Sequence, residues 1–401
     1  MACLDSAPMP SRRVALAVAT AVLCVALGLA KAASNDWYET RDFHCFWAAG
    51  RLVALGSDPY DPAGYQALVA GEGAISAQTL IHCGARFPFP PWTALLLAPF
   101  GAFPLPLAST LWVALFLGAT TLGLYWSWSL SGGGRRWPPL FLALVLASEP
   151  FLLALENAQF GAITLALCSG ALVLMENRRD RSAGAALAAL LIKPQLVIVS
   201  LPALLIRAAL QRRLRIVAGA SMVAGLTVVA SVALLPGSPA VLAGYAGRTV
   251  GATVPLASVW DLGGSLGLPF LAPIVIALLA IATVALVAGR PVDDTGFAGL
   301  AVAFSLAVTP YAWSYDYILL ALPWALTLGR ISALRDIRGP LLLALQVAVA
   351  SPLAWGVYLL AFVRGGETLS PLVPICSTLL LALAIRLGPR QLAEHDGPRL
   401  H

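Results

Sequence analysis

Charge is scarce in this chain of 401 residues: 25 Lys and Arg together with 19 Asp and Glu make up only 11% of it. Soluble domains carry about 25% charged residues, so a water-covered globular enzyme, a DNA-binding domain and a disordered scaffold are excluded. Cysteine is scarce as well. Six residues without a CxxC or Cys/His spacing exclude a disulfide scaffold and suggest no metal centre. Cys3, Cys24, Cys168 and Cys376 lie in or beside apolar runs, where a thiol is an ordinary small hydrophobe. Cys45 and Cys83 share one polar loop, and a bridge between them stays open as an alternative, on condition that the loop faces an oxidising compartment. The four His carry no pattern. What remains is apolar: 59% of the residues are hydrophobic and the mean hydropathy is +0.85. The net charge of +6 is spread over short connections instead of one face, which excludes nucleic acid as a partner and gives the basic residues a topological role among membrane lipids.

Long hydrophobic runs define the fold class, an all-α polytopic membrane protein in one integral domain over residues 1–401. The run 14–30, behind Arg12 and Arg13 and ahead of Lys31, reads as an uncleaved signal anchor with a cytoplasmic N-terminus. Further apolar segments fall at 91–103, 106–130, 138–155, 161–175, 184–206, 214–235, 270–288, 297–309, 317–329, 340–363 and 371–387. Every basic cluster between them, from Arg135-Arg136 to Arg386 with Arg390, lands in the cytoplasm on two conditions. The short 91–103 segment, broken by Pro99, must not cross, and 184–206, interrupted by Lys193-Pro194-Gln195, must be a re-entrant hairpin. This arithmetic predicts about ten spans with both termini cytoplasmic, or about twelve if both irregular segments cross, in the plasma membrane.

Four polar stretches then face outward: 34–90, Glu149 to Gln159, 236–269, and Pro310 to Asp316. The first is the longest. Behind Asp42, the residues Phe43, Phe46, Trp47, Leu52 and Val53 recur at near-helical spacing until Gly56-Ser57-Asp58-Pro59 stops them, which predicts an amphipathic helix lying in the outer interface. Asp42 at its start is a candidate general base where a lipid head group and an aqueous acceptor can meet; a helix N-cap or a salt bridge to Arg41 is the competing role. His44 and Glu39 are its neighbours and rivals. Arg86, leading into Phe87-Pro88-Phe89-Pro90-Pro91-Trp92, offers a fork for phosphate or an incidental charge on an interface anchor. Asn157, Gln159 and Lys193 are costly in hydrocarbon, so they line a cavity or bind an anion, unless Lys193 snorkels to the cytoplasm. Tyr315 and Asp316, with Tyr311 and Trp313, place a carboxylate among aromatics that stack on sugars or form a membrane belt.

These residues carry a resemblance. Asp42-Phe43 with Trp47-Ala48-Ala49, Asp58-Pro59-Tyr60-Asp61-Pro62, Phe87-Pro88-Phe89-Pro90-Pro91 leading into Leu95-Leu96-Leu97-Ala98-Pro99, Gln159-Phe160-Gly161 and Lys193-Pro194-Gln195 resemble glycosyltransferase family 87 over residues 35–330. That family comprises the polyprenol-phosphate-mannose-dependent mannosyltransferase-like proteins of the GT-C superfamily. The resemblance implies a GT-C-like bundle that takes a hexose, mannose above all, from a polyprenyl-phosphate donor and passes it to a lipid or glycan acceptor on the outer face. It implies an acidic base in the first outer loop, which maps to Asp42, with the polyprenyl-phosphate sugar as donor substrate; the sequence assigns no cofactor. Direct displacement inverts the anomeric centre, with Arg86 and Lys193 neutralising the leaving phosphate. Relatives often carry His in the late aromatic motif, whereas Thr309 to Asp316 here has none. A lipid flippase or small-molecule transporter without catalysis is the alternative, since it would also explain the spans and the intramembrane Lys193.

Overall fold

The computed structural model describes residues 42–71, 83, 86–133, 137–235, 237–241 and 256–388. The signal-anchor run 14–30, Glu39, Arg41 and both termini lie outside them. Seventeen α-helices and no strand occur among the described residues, in keeping with an all-α polytopic membrane protein. They are α1 (Asp42–Ala54), α2 (Pro62–Gly71), α3 (Pro91–Gly101), α4 (Leu105–Leu130), α5 (Pro138–Leu146), α6 (Glu149–Glu156), α7 (Gly161–Glu176), α8 (Asp180–Ala189), α9 (Ser200–Leu210), α10 (Leu214–Leu234), α11 (Val259–Ser265), α12 (Leu271–Val287), α13 (Asp294–Val308), α14 (Ala321–Ile331), α15 (Arg338–Ala348), α16 (Ala354–Arg364) and α17 (Leu372–Leu387).

Each apolar segment among the described residues is helical, because in hydrocarbon every backbone N–H and C=O must find a partner within its own segment. α4, α10 and the continuous α15–α16 unit are long and apolar enough to span by themselves, and α5 with α6, bent by 58°, reach that length only together, as a broken span or a re-entrant loop. Prolines start many of these helices: Pro91, Pro138 and Pro150 stand in first turns, where a missing N–H costs nothing. The faces of α10 and α12 left uncovered carry Leu226, Val229, Leu278 and Ile281, which fits contact with lipid.

The segment 184–206 doubles back. α8 runs into two 3₁₀ turns, Leu190–Ile192 and Pro194–Val197, and α9 returns. Its two ends meet in one ionic cluster: Arg213 holds Asp180 at 2.5 Å and lies 3.9 Å from Asp294, which Arg207 binds at 2.7 Å. α13 starts in that cluster and ends at Thr309 against the hairpin tip, a helix of 15 residues or roughly 22 Å away. Pro194 breaks the helix, and the carbonyls it releases are caught by side chains: Trp92 donates to Leu191 (2.8 Å), Thr93 to Ile192 (3.0 Å), Thr309 to Gln195 (2.8 Å) and Ser305 to Leu196 (2.9 Å). An irregular tip can thus be buried without orphaned backbone.

α3 has 11 residues, about 16 Å of helix against the ~30 Å of a bilayer core, so it does not span alone. It lies on α1 at a crossing of two glycines. A Cβ on Gly50 would stand 2.3 Å from the Leu97 carbonyl oxygen, and one on Gly101 2.2 Å from the Arg51 nitrogen. This close packing corrects one expectation. α1 is a helix over the predicted residues, but Phe43, His44, Cys45, Phe46, Trp47, Ala48, Ala49, Gly50 and Leu52 are all buried, so it is packed on several faces instead of resting in the interface. Its partners are aromatic: Phe43 stacks on Trp112 (5.2 Å), and Phe46 meets Phe89 and Phe160 at 5.4 and 4.6 Å. Cys45 and Cys83 form a disulfide that ties α1 to Cys83, ahead of Arg86 in the chain.

Candidate active site

The hairpin tip brings Lys193 against the α6–α7 turn and the Ser314–Leu320 3₁₀ helix. Four residues distant in sequence connect there. Gln159 donates through Nε2 to Asp42 Oδ2, its Oε1 accepts from Lys193 Nζ at 3.3 Å, and Lys193 Nζ pairs with Asp316 Oδ1 at 2.5 Å. Asp316 Oδ2 in turn accepts the Trp313 backbone N–H at 3.2 Å.

Local structure explains each placement. Asp42 occupies the first turn of α1, where the positive end of the helix favours a carboxylate. Gln159 follows Ala158, whose φ of 50° is left-handed and turns the chain sharply out of α6. Such a conformation costs of order 1–3 kcal/mol for a residue with a Cβ. The Trp112 indole holds the Ala158 carbonyl at 2.6 Å and so fixes that turn. Gly161 then lets the 3₁₀ helix approach, since a Cβ there would fall 2.6 Å from the Ile318 side chain. Lys193 sits between the two 3₁₀ turns with φ −138° and ψ 73°.

Lys193 and Asp316 are 1% and 0% exposed. A buried pair of this kind repays the loss of water only when both charges are well bonded, and removing one partner costs roughly 3–5 kcal/mol. Aromatic rings add to it: Lys193 Nζ lies 5.0 Å from the Tyr315 centroid and 5.8 Å from that of Phe89. Asp42 is half-buried, and its charge reaches neighbouring phenols. Burial first, and Asp42 second, push the Tyr65 hydroxyl above its usual range; burial, Asp316 and Asp42 do the same for Tyr311.

The remaining candidates divide. Tyr315 is half-buried and stacks with Trp313 at 6.3 Å, so it borders the same place. Asn157 does not join it; its Nδ2 donates to Leu153 at 2.9 Å and finishes α6. Arg86 is exposed at the start of a segment whose Phe87 and Phe89 are buried, so those rings are core and not an interface belt. His44 is buried with its ring edge-to-face on Trp47 at 6.0 Å. Among the described residues no group of three or more His, Cys, Asp or Glu is placed to hold a metal ion.

Two carboxyls escaped the sequence reading. Glu149 is 1% exposed at the start of α6, and Glu367, in the loop between α16 and α17, accepts the Ser314 N–H at 2.6 Å. Ser314 lies two residues from Asp316, which puts Glu367 close behind the ion pair. Burial pushes the Glu367 carboxyl up to about 7 against the lowering effect of its Ser314 hydrogen bonds, with the Asp316 charge adding to the rise. Only the Gly365-Gly366 turn beside Glu367 marked the position in the sequence, and it says nothing of burial.

No curated protein and no solved structure matches the chain. Residues 87–310 match the model of a known family. The match takes in the Phe87–Pro91 segment, Gln159 and Lys193, and leaves Asp42, Tyr315 and Asp316 outside its bounds. With more than half of its length covered in this way, the chain belongs to glycosyltransferase family 87.

Proposed function

We propose that this glycosyltransferase moves a hexose, mannose in the first instance, from a polyprenyl-phosphate sugar to a lipid or glycan acceptor on the extracytoplasmic face, with inversion. One observation carries the reading: the carboxylate of Asp42 stands at the seam between the first-loop helix and the bundle, joined through Gln159 to the buried Lys193–Asp316 pair. Asp42 takes the proton from an acceptor hydroxyl. The hydroxyl oxygen forms the new bond to the anomeric carbon as the bond from that carbon to the phosphate oxygen breaks, and its electron pair departs on polyprenyl phosphate. Arg86, exposed where its segment leads into α3, is the guanidinium that meets the phosphate. Tyr315 and Trp313 present rings to the sugar. The Cys45–Cys83 disulfide supports an outer location for α1, because such bridges persist in oxidising compartments.

Membranes containing the protein, given radiolabelled polyprenyl-phosphate-mannose, are expected to pass label to an endogenous lipid or glycan. Transfer from a different polyprenyl-phosphate hexose alone would revise the sugar. Translocation of the intact donor without transfer would overturn the reading in favour of a flippase.

A further inference from the structure

We infer that the Lys193–Asp316 pair is a positioning device that acts through Gln159 on Asp42, and that Lys193 is not a binding site for the donor phosphate. The inference rests on the reading of Asp42 as the base. A glutamine amide has two orientations of nearly equal shape, one presenting oxygen and the other NH₂ to a given neighbour. Here the chemistry of its two neighbours allows only one of them. An ammonium has donors and no acceptor, so Lys193 must face Oε1; an ionised carboxylate only accepts, so Asp42 must face Nε2. Lys193 thereby fixes the amide, and the amide fixes the carboxylate oxygen it bonds.

The role of Asp316 follows from charge. A lone buried cation near Asp42 would favour its ionised form and make it a weaker base. Asp316, at 2.5 Å from Lys193 and fully buried, cancels that cation while holding Nζ in place. With Oε1 of Gln159 and Oδ1 of Asp316 both on Nζ, the ammonium has spent two of its three donors on the protein before any substrate arrives. Its surroundings, 1% exposed with Phe89 and Tyr315 over the charge, leave it sealed away from a bulky phosphate.

A phosphate ligand and a positioning residue fail differently. The test uses the full-length protein in membranes and measures kcat and donor KM separately. Gln159→Leu should lower kcat by roughly 10- to 10²-fold, the size of effect that slight misplacement of a reacting group produces, with donor KM within about twofold of the parent. Lys193→Met alone strands Asp316 and threatens folding, so the decisive variant is the neutral pair K193M/D316N, which removes both charges together. It should reproduce the Gln159→Leu defect in kcat, and the triple variant should be no worse than either. In an Asp42→Asn background all of these changes should have no further effect. A donor KM raised tenfold or more by the neutral pair, or losses that multiply in the triple variant, would overturn the inference and return Lys193 to the phosphate. A fully active Asp42→Asn protein would instead remove the base reading, whereas a crippled Asp42→Asn protein alongside an unaffected neutral pair would remove only the positioning role.

Discussion

Asp42→Asn separates the two roles that the first turn of α1 allows its carboxylate. Asparagine has the same size and caps a helix about as well as aspartate. Its carbonyl oxygen can still accept from Gln159 Nε2, so the bond that joins α1 to the α6–α7 turn survives in neutral form. Losing the charge weakens that hydrogen bond by about 1 kcal/mol and forfeits about 0.3–1 kcal/mol of interaction with the helix dipole. The packing beneath is untouched, because Phe43, Phe46 and Trp47 bury the helix independently of residue 42. The protein should therefore insert, fold and accumulate normally, with a fall in stability of at most ~2 kcal/mol. Transfer is another matter. A neutral amide takes no proton, and a general base contributes typically ~10²- to 10⁴-fold, so label transfer from polyprenyl-phosphate-mannose should drop by that order. Asp42→Glu should recover little, since its longer arm moves the carboxylate by roughly an ångström relative to Gln159, enough to cost on the order of 10²-fold. Parental transfer rates in the Asn variant, at equal protein level, would refute the assignment and make Asp316 the next carboxylate to test.

Three other outcomes are expected. Replacing Cys45 and Cys83 by Ser opens a loop of sequence separation 38 and should cost roughly 2–4 kcal/mol, read as a lower midpoint of thermal unfolding in detergent, with reductant mimicking the change in the parent; an unmoved midpoint would mean that the bridge closes nothing. Glu367, raised to about 7 from 4.5 by burial, binds its proton more tightly folded than unfolded, so stability should fall as pH rises from about 4.5 to about 7 and level off above; Glu367→Gln should flatten that slope, and an unchanged slope would place the titration elsewhere. Cysteines introduced near Asp61 and Gly365 should react with an impermeant thiol reagent from outside and ones near Asp180 and Asp336 should not, and labelling of the Asp180 site in intact cells would invert the topology.

The helical bundle was legible because lipid leaves the chain few choices. An apolar run of spanning length must be a helix, and an interruption such as Lys193-Pro194-Gln195 must be buried against side chains able to replace lost backbone bonds, as Trp92, Thr93, Ser305 and Thr309 do. Which polar residues meet was not legible. Asn157 and Gln159 stand two positions apart in the same polar step, and the sequence makes them equal candidates. The left-handed turn at Ala158 divides them, leaving the Asn157 amide on the carbonyl of its own helix and sending Gln159 to Asp42. That conformation has no signature in the sequence, since alanine gives no cue for positive φ. The joining of Lys193 to Asp316 spans 123 positions and depends on the hairpin tip reaching the Ser314–Leu320 turn, a consequence of tertiary packing with no local pattern. A cation alone in an apolar run calls for an anionic partner, and the sequence could supply that partner from a substrate phosphate or from the protein itself. The buried carboxylate of Asp316 supplies it from the protein, so under the proposed reading the lysine belongs to the framework that aims Asp42 and the phosphate falls to the exposed guanidinium of Arg86.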